Sequence, residues 1–180
     1  MYAFAPDKGV ACDGATGYFD TQFNLASSGG QFSRDSASLG VYVRTNTTAN
    51  GTQFGAYDGT SETALYVNYA GGLYFRINSA FDLHVASGMN GQGFWIGVRT
   101  AANAVSVYRN GAEIASSTTP SNGVPPLSMY LCASNRNGVS FFEPDEIAAF
   151  FIGAALDKTQ TAGISVRINQ FLTTFGTNVY

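Results

Sequence analysis

Short runs in which apolar and polar residues alternate recur along nearly the whole chain, and they constrain its fold more than any other feature. The runs are separated by clusters of Gly, Asn and Ser. In SLGVYVRT, for example, Leu39, Val41 and Val43 fall on one face of an extended strand, because successive side chains of a strand point to opposite faces. The pattern predicts about ten strands.

One of these runs marks a tight antiparallel hairpin. In AVSVYRNGAEIASSTT, Asn110-Gly111 lies between two alternating segments and suits the two positive-φ positions of a type I′ turn. Val105 and Val107 then point to one face, so we expect this ribbon to bury one side only. Further strands are predicted at YAFA (2–5), YFDTQF (18–23), TALYVNY (63–69), LYFRIN (73–78), FDLHVA (81–86), GFWIGVRT (93–100), LSMYLCA (127–133) and EIAAFFIG (146–153).

The composition agrees with an all-β protein. Hydrophobic residues make up 45% of the 180 residues and charged residues 12%, and there are 21 glycines. A chain of this length can bury one sizeable core and is short for two domains. Short antiparallel strands at this spacing are typical of a sandwich or jelly roll. We therefore expect residues 1–180 to form a single antiparallel β-sandwich domain.

The last segment changes from a strand period to a helix period. In LDKTQTAGISVRINQFLTTFG the residues at helical spacing are Ile164, Ile168, Phe171, Leu172 and Phe175. Asp157 and Gln160 can form a capping box at the start, and Gly176 can end the helix. The pattern predicts one amphipathic helix over about 157–175.

Charge and hydropathy exclude several classes of function. The formal net charge of −3 provides no basic patch, so no nucleic-acid partner is expected. The longest apolar runs fall far below the roughly 18 residues of a membrane span, so membrane insertion is not expected. The opening MYAFAPDKGV lacks the basic start and apolar stretch of a signal peptide. The expectation is a soluble protein that is not exported by the usual route.

The two cysteines, Cys12 and Cys132, lie far apart in the sequence and are too few for a four-thiolate metal site. They form either a disulfide or two buried thiols. Nothing else in the sequence indicates an oxidising compartment, so two thiols are the expected state.

Two stretches resemble known families. FWIGVRTAANAVSVYRNGAEIASSTT is similar to the centre of the concanavalin A-like lectin/glucanase and laminin-G-like group. YFDTQFN, SLGVYVRTN and the closing segment LCASNRNGVSFFEPDEIAAFFIGAALDKTQTAGISVRINQFLTTFG resemble the lectin-like jelly-roll domains of bacteriophage tail and virion proteins, which commonly end in such a strand and helix. The resemblance covers most of residues 12–176. It implies a lectin-like β-sandwich more firmly than one function, because this architecture hosts hydrolases, lectins and structural modules.

The resemblance suggests one enzymatic reaction, glycoside hydrolysis, which needs two carboxylates across the scissile bond. Laminarinase-type members carry them in a Glu-x-Asp-x-x-Glu strand. Glu143 and Asp145 fit the first half of that pattern, but Ala148 stands at the position of the second Glu and Pro144 interrupts the strand. We therefore expect no catalytic residues and interpret these acidic residues as part of a solvated loop.

Other chemistries find no support in the sequence. The chain has one histidine, His84, and no Cys or Ser in a recognisable nucleophile motif, so a catalytic triad is not expected. His84 is expected to be a hydrogen-bonded surface residue. Asp58-Gly59 lacks the alternating carboxylates of a calcium loop. No metal site or cofactor is predicted, although a calcium held by scattered loop oxygens would leave no sequence pattern.

The most informative feature is the second face of the predicted sheet. If the aliphatic residues, among them Phe94, Ile96 and Val98, share the buried face, alternation places a different set on the other face. Its members are rings with polar tips, amides and arginines: Tyr42, Arg44, Tyr66, Asn68, Tyr74, Arg76, Asn78, Trp95, Arg99 and Tyr108.

This second face has three competing interpretations. It is a glycan groove, because aromatic faces stack on sugars and amides bind their hydroxyls. It is a subunit or assembly interface, because Tyr, Trp and Arg dominate hot spots. Or it is a half-buried layer covered by the N-terminal strands and the terminal helix. The helix itself is expected to dock on an apolar sheet surface rather than on this polar one.

The function favoured by the resemblance is a non-enzymatic structural or adhesion component of a phage-like virion or tail, with a host-surface glycan as a candidate ligand. Its expected partners are other virion or tail proteins, a host polysaccharide and further copies of itself, and its expected location is the virion. The alternative is a free carbohydrate-binding module with an open groove around Trp95. The third hypothesis, a divergent glycoside hydrolase, would require a second carboxylate within about 5 to 9.5 Å of Glu143 or Asp145.

Overall fold

The computed structural model describes residues 3–86 and 88–180. The strand predicted at 2–5 begins at Tyr2, which lies outside the described residues. The described residues form fifteen strands and one helix: β1 (Ala3–Ala5), β2 (Gly9–Ala11), β3 (Phe19–Asn24), β4 (Ala37–Val43), β5 (Phe54–Tyr57), β6 (Glu62–Tyr69), β7 (Gly72–Ser79), β8 (Leu83–Ala86), β9 (Gly93–Ala101), β10 (Ala104–Arg109), β11 (Ala112–Ser117), β12 (Ser128–Leu131), β13 (Ser134–Asn135), β14 (Val139–Ser140), β15 (Glu146–Gly153) and α1 (Lys158–Thr174).

The strands form two sheets that pack against each other. Sheet 1 is antiparallel and has the order β1-β2-β15-β4-β9-β10-β11. Sheet 2 has the order β14-β13-β5-β6-β7-β8, and β12 pairs with both β5 and β3. Only the β13–β5 pair in the described residues is parallel. The predicted antiparallel β-sandwich with one C-terminal helix is confirmed.

A disulfide between Cys12 and Cys132 joins the two sheets, with Cα atoms 6.2 Å apart. Cys12 follows β2 of sheet 1, and Cys132 follows β12 of sheet 2. The expectation of two free thiols is therefore wrong. The residues are 120 positions apart in sequence, and only the folding of β2 beside β12 brings them together.

The main core lies between the sheets. It contains the predicted aliphatic residues of β4, β6 and β7: Leu39, Val41, Val43, Leu65, Val67, Leu73, Phe75 and Ile77. The Phe75 ring packs directly against Gly97 of β9. A Cβ atom at residue 97 would lie 1.9 Å from Cζ of Phe75. Any side chain at residue 97 would displace that ring.

A second core lies on the outer face of sheet 1, beneath α1. Phe94, Ile96 and Val98 belong to it, together with Leu172 of the helix. The prediction that these three residues lie between the sheets is therefore wrong. The two faces of β9 are exchanged relative to the prediction, and Trp95 packs in the main core instead. Both faces of β9 are buried, and residues 94–98 are apolar on both sides, so alternation could not distinguish the two faces.

The helix agrees with its predicted bounds and capping. The Asp157 carboxylate accepts a hydrogen bond from the Gln160 backbone N–H at 2.8 Å, and the Gln160 side chain accepts one from the Asp157 N–H at 2.9 Å. The predicted apolar stripe is only partly buried. Leu172 packs on sheet 1, whereas Phe171 is 59% exposed and contacts Phe175 edge to face.

The Asn-Gly hairpin has the predicted turn conformation. Asn110 and Gly111 have φ angles of 54° and 83°, as a type I′ turn requires. Val107 packs in the main core, but Tyr108 on the opposite face is buried in the core beneath α1. The expectation that this ribbon buries one side only is therefore wrong, because the helix covers its outer face.

Candidate functional site

The ten candidate side chains fall into four groups. Tyr42, Arg44 and Tyr108 lie on the outer face of sheet 1, near α1 and the C-terminal residues. The Val179 N–H donates to the Tyr42 hydroxyl at 2.8 Å. Arg44 donates from Nε to the Thr177 carbonyl at 2.9 Å and forms an ion pair with Glu146. These contacts hold the C-terminal residues against the sheet.

Trp95 and Arg99 lie inside the protein and are both 0% exposed. The Trp95 Nε1 donates to the Gly91 carbonyl at 2.7 Å. Arg99 donates to backbone carbonyls of three neighbouring segments, including Ile77 at 2.8 Å and Thr119 at 3.1 Å. The open groove around Trp95 that would distinguish a free carbohydrate-binding module is absent from the described residues. The two faces of β9 are the reverse of those predicted, so Trp95 and Arg99 point inward.

Asn68 and Asn78 are also buried, and both adopt positive φ angles. Asn68 Nδ2 donates to Asn46 Oδ1 at 2.9 Å. Asn78 Nδ2 donates to the carbonyls of Ser33 and Arg34 at 3.0 Å. Their amides therefore attach loops to sheet 2 and are not available to a ligand.

The remaining three candidates, Tyr66, Tyr74 and Arg76, lie together on the outer face of sheet 2. They share a concave site of about 160 Å³ with residues that sequence reasoning missed. We call this site the tyrosine cleft, and its lining residues are Tyr66, Tyr69, Tyr74, Arg76, Asp82, Arg136 and Phe141.

A β-bulge in β6 explains why Tyr69 was missed. The pairing of β6 with β7 shifts register between Tyr66 and Tyr69, where Asn68 has a φ of 61°. The extra residue places Tyr69 beside Tyr66, with ring centroids 5.5 Å apart, although simple alternation would separate them. The positive φ favoured by Asn was the available signal for this bulge.

Arg136 and Phe141 come from the β13–β14 region, which is distant in sequence from β6 and β7. Phe141 has a φ of 54° and contacts Tyr66 edge to face at 6.0 Å between centroids. The Arg136 guanidinium lies 4.6 Å from the Tyr57 ring centroid and 4.5 Å from that of Phe141. No local pattern links these two residues to the tyrosines.

The aromatic rings of the cleft form a continuous row. Tyr69 contacts Tyr74 nearly perpendicularly at 5.6 Å, and Tyr74 stacks on His84 at 4.2 Å between centroids. Tyr69 and Tyr74 are partly exposed, and their hydroxyls form no hydrogen bond within the described residues. His84 is exposed, as predicted for a surface residue, and its contact is a ring stack. The row therefore presents ring surface and two phenolic hydroxyls to solvent.

An ion-pair network forms the polar side of the cleft. Glu62 is fully buried and accepts hydrogen bonds from Arg76, Arg136 and the Tyr66 hydroxyl. Arg76 also donates to both oxygens of Asp82, at 2.6 and 3.0 Å. Burial and the Glu62 carboxylate raise the pKa of Tyr66 well above its ordinary value. The phenol thus stays protonated and orients the buried carboxylate.

A larger depression of about 560 Å³ lies between β10 and β11, at the end away from the Asn-Gly turn. Its lining consists of small residues and one amide: Asn103, Ala104, Val105, Ser106, Ser116, Ser117 and Thr118. It has neither aromatic rings nor charged groups with which to orient a ligand. The tyrosine cleft is smaller but carries the more specific chemistry.

The acidic pair Glu143 and Asp145 is buried, which corrects its interpretation as a solvated loop. The Thr47 hydroxyl lies 2.7 Å from Glu143 and 2.9 Å from Asp145. The Gln53 amide also donates to Asp145 at 2.9 Å. The two carboxylates are therefore close together, as the hydrolase hypothesis required, but they are enclosed away from any substrate.

Across 3–86 and 88–180, no three side chains of His, Cys, Asp or Glu are grouped so as to hold a metal ion. In the same part of the chain, no helix has the length and apolarity needed to cross a membrane.

No protein-family model matches this sequence, and no curated protein matches it. Solved structures do match. The binding domain of botulinum neurotoxin serotype D is 11% identical with a TM-score of 0.60, over 88% of this chain and 42% of the toxin chain. The receptor-binding domain of the botulinum neurotoxin C/D mosaic serotype is 11% identical with a TM-score of 0.55, over 74% of this chain and 36% of the other.

A third match is the CBM40 of the Ruminococcus gnavus IT-sialidase. It is 13% identical with a TM-score of 0.53, over 73% of this chain and 83% of the CBM40 chain. This chain spans less than half of the length of the matched toxin chains. At such identities the likeness establishes the fold, which is a lectin-like β-sandwich. Two of these matches are neurotoxin binding domains and the third is a CBM40, and at these identities they establish the fold alone.

Proposed function

We propose that this chain is a non-enzymatic glycan-binding domain whose tyrosine cleft holds a sugar residue. The observation that carries the proposal is the partly exposed row of Tyr69 and Tyr74 beside a hydrogen-bonded network of charged groups. Binding and adhesion also fit the structural neighbours, which are receptor-binding or carbohydrate-binding domains.

The physical argument rests on the two kinds of surface that a sugar presents. The C–H face of a pyranose is apolar and packs on aromatic rings, while its hydroxyls need donors and acceptors. Tyr69 and Tyr74 offer ring surface and hydroxyls at the same place. The cleft volume of about 160 Å³ is below the roughly 300–1,000 Å³ of sites for drug-sized ligands. We therefore expect recognition of one terminal sugar residue rather than a long chain.

The proposal extends to adhesion on a phage-like particle, where the domain would bind a host-surface polysaccharide. Support for this part comes from the sequence resemblance of the closing strand and helix to tail and virion domains. Other virion proteins and further copies of this chain would be its partners. The exposed Phe171 of α1 and the exposed Phe175, which follows the helix, provide apolar surface for such contacts.

A glycan-array screen of the wild type and Tyr74→Ala tests the proposal. We expect the wild type to retain a defined glycan and the variant to bind it at least about tenfold more weakly, because stacking area is lost. Phe171→Ala is the control, since it removes an exposed ring from a remote surface. Equal retention by the Tyr74 variant, or no binding by the wild type, would overturn the proposal.

A further inference from the structure

We infer that the tyrosine cleft selects an uncharged sugar over an acidic one. The inference rests on the proposed function and adds the class of ligand. Two arginines line the cleft, and arginine is the usual receptor for a carboxylate. Their hydrogen bonds within the protein decide whether they can act in that way.

Arg76 has little capacity left for an anion. Its Nε and Nη2 donate to the two oxygens of Asp82, which is the two-bond geometry that a ligand carboxylate would use. Its Nη1 donates to Glu62. Despite partial burial, the hydrogen bonds and charges of Asp82 and Glu62 raise the pKa of Arg76 above its ordinary value. The protein's own carboxylates thus occupy the Arg76 donors that a ligand carboxylate would need.

Arg136 is similarly engaged. Its Nη2 donates to Glu62 at 2.8 Å and to the Tyr66 hydroxyl at 3.0 Å. The guanidinium lies against the Tyr57 and Phe141 rings. Its Nε is buried, out of reach of a ligand, and has no hydrogen-bond partner in the described part of the chain. This arginine supports the cleft wall and lacks a free two-pronged edge.

The charges of the network also cancel. Two guanidinium groups face two carboxylates, so the formal charge of the four side chains is zero. His84, which stacks on Tyr74, is exposed. An acidic sugar would have to lose its hydration beside Asp82, and among the described residues that line the cleft no cation is left unpaired to compensate. An uncharged sugar needs only the Tyr69 and Tyr74 rings and hydroxyls.

The test uses matched oligosaccharides that differ only in whether their terminal residue is neutral or carries a carboxylate. Binding is measured by titration calorimetry for the wild type and for Asp82→Asn. This substitution frees one of the two Arg76 N–H donors that Asp82 occupies. We expect the wild type to prefer the neutral member by at least about tenfold. The Asp82→Asn variant should lose most of that preference by gaining affinity for the acidic member.

Glu113→Gln is the control, because it changes the net charge equally from the exposed surface of β11 in the other sheet. It should keep the wild-type preference. Wild-type binding of the acidic member as tightly as the neutral one would overturn the charge inference while leaving glycan binding intact. An Asp82→Asn variant with unchanged preference would also overturn it. No binding of either member by the wild type would overturn the proposed function itself, and the inference with it.

Discussion

Among individual residues, the buried carboxylate Glu143 has the most unusual electrostatic environment. It is 0% exposed, and its Oε2 has no hydrogen-bond partner among the described residues. Burial, with a contribution from the nearby Asp145 charge, raises the pKa of Glu143 from 4.5 to about 8. The side chain is therefore protonated in the folded protein at neutral pH.

This shift predicts an unusual dependence of stability on pH. Between about 4.5 and 8, folded Glu143 keeps a proton that the unfolded chain releases, so raising the pH favours unfolding. Urea denaturation should show that the free energy of unfolding falls between pH 5 and pH 8, and that ionisation of Glu143 accounts for on the order of a few kcal/mol of this fall.

The Glu143→Gln variant should lack this contribution, because the amide imitates the protonated acid and keeps an acceptor for Thr47. Glu113→Gln, at an exposed position, should retain the wild-type slope. If wild type and Glu143→Gln had the same pH profile, the raised pKa would be wrong.

Single residues also show how far the candidate site could be predicted. Tyr66, Tyr74 and Arg76 were found because alternation holds locally in β6 and β7. Tyr69 was missed because the bulge at Asn68 changes the phase, and Arg136 was missed because its contact with Glu62 spans 74 residues of sequence. Alternation describes only neighbours along one strand and carries no information about either effect.

Among secondary-structure elements, the C-terminal helix was predicted best, since caps are local in sequence. Asp157, Gln160 and Gly176 act as expected, with Gly176 at a φ of 63°. The helical periodicity could not specify how much of the apolar stripe of α1 the sheet would cover. Sheet 1 buries Leu172 and leaves Phe171 exposed.

The cap provides a test at this scale. Asp157→Ala removes the acceptor for the Gln160 N–H, and should lower the free energy of unfolding by about 1 kcal/mol. Chemical denaturation followed by far-ultraviolet circular dichroism measures the change. Lys158→Ala, at the next exposed position, should have little effect. Equal stabilities of the two variants would indicate that the cap does not contribute to holding α1.

For the whole molecule, the disulfide is the main feature that the sequence did not reveal. It closes a loop between residues 120 positions apart and joins the two sheets. Cross-links over long loops restrict the unfolded chain most, so reduction should destabilise the protein by roughly 2–4 kcal/mol.

Denaturant midpoints measured with and without reductant test this prediction. The double variant Cys12→Ser and Cys132→Ser should resemble the reduced wild type and should not respond to reductant. A wild type with the same midpoint in both conditions would contradict a stabilising disulfide.

That residues 1–180 form one domain stays a prediction.

The sequence by itself determined the strand-rich sandwich, the Asn110-Gly111 turn and the capped helix, because alternation, turn chemistry and capping act between residues close in sequence. Only the tertiary structure decided which face of β9 enters the main core, where Cys12 finds its partner and how the tyrosine cleft is assembled. These features depend on burial from both sides of a sheet, on bulges, and on contacts between segments distant in the chain, none of which leaves a local pattern.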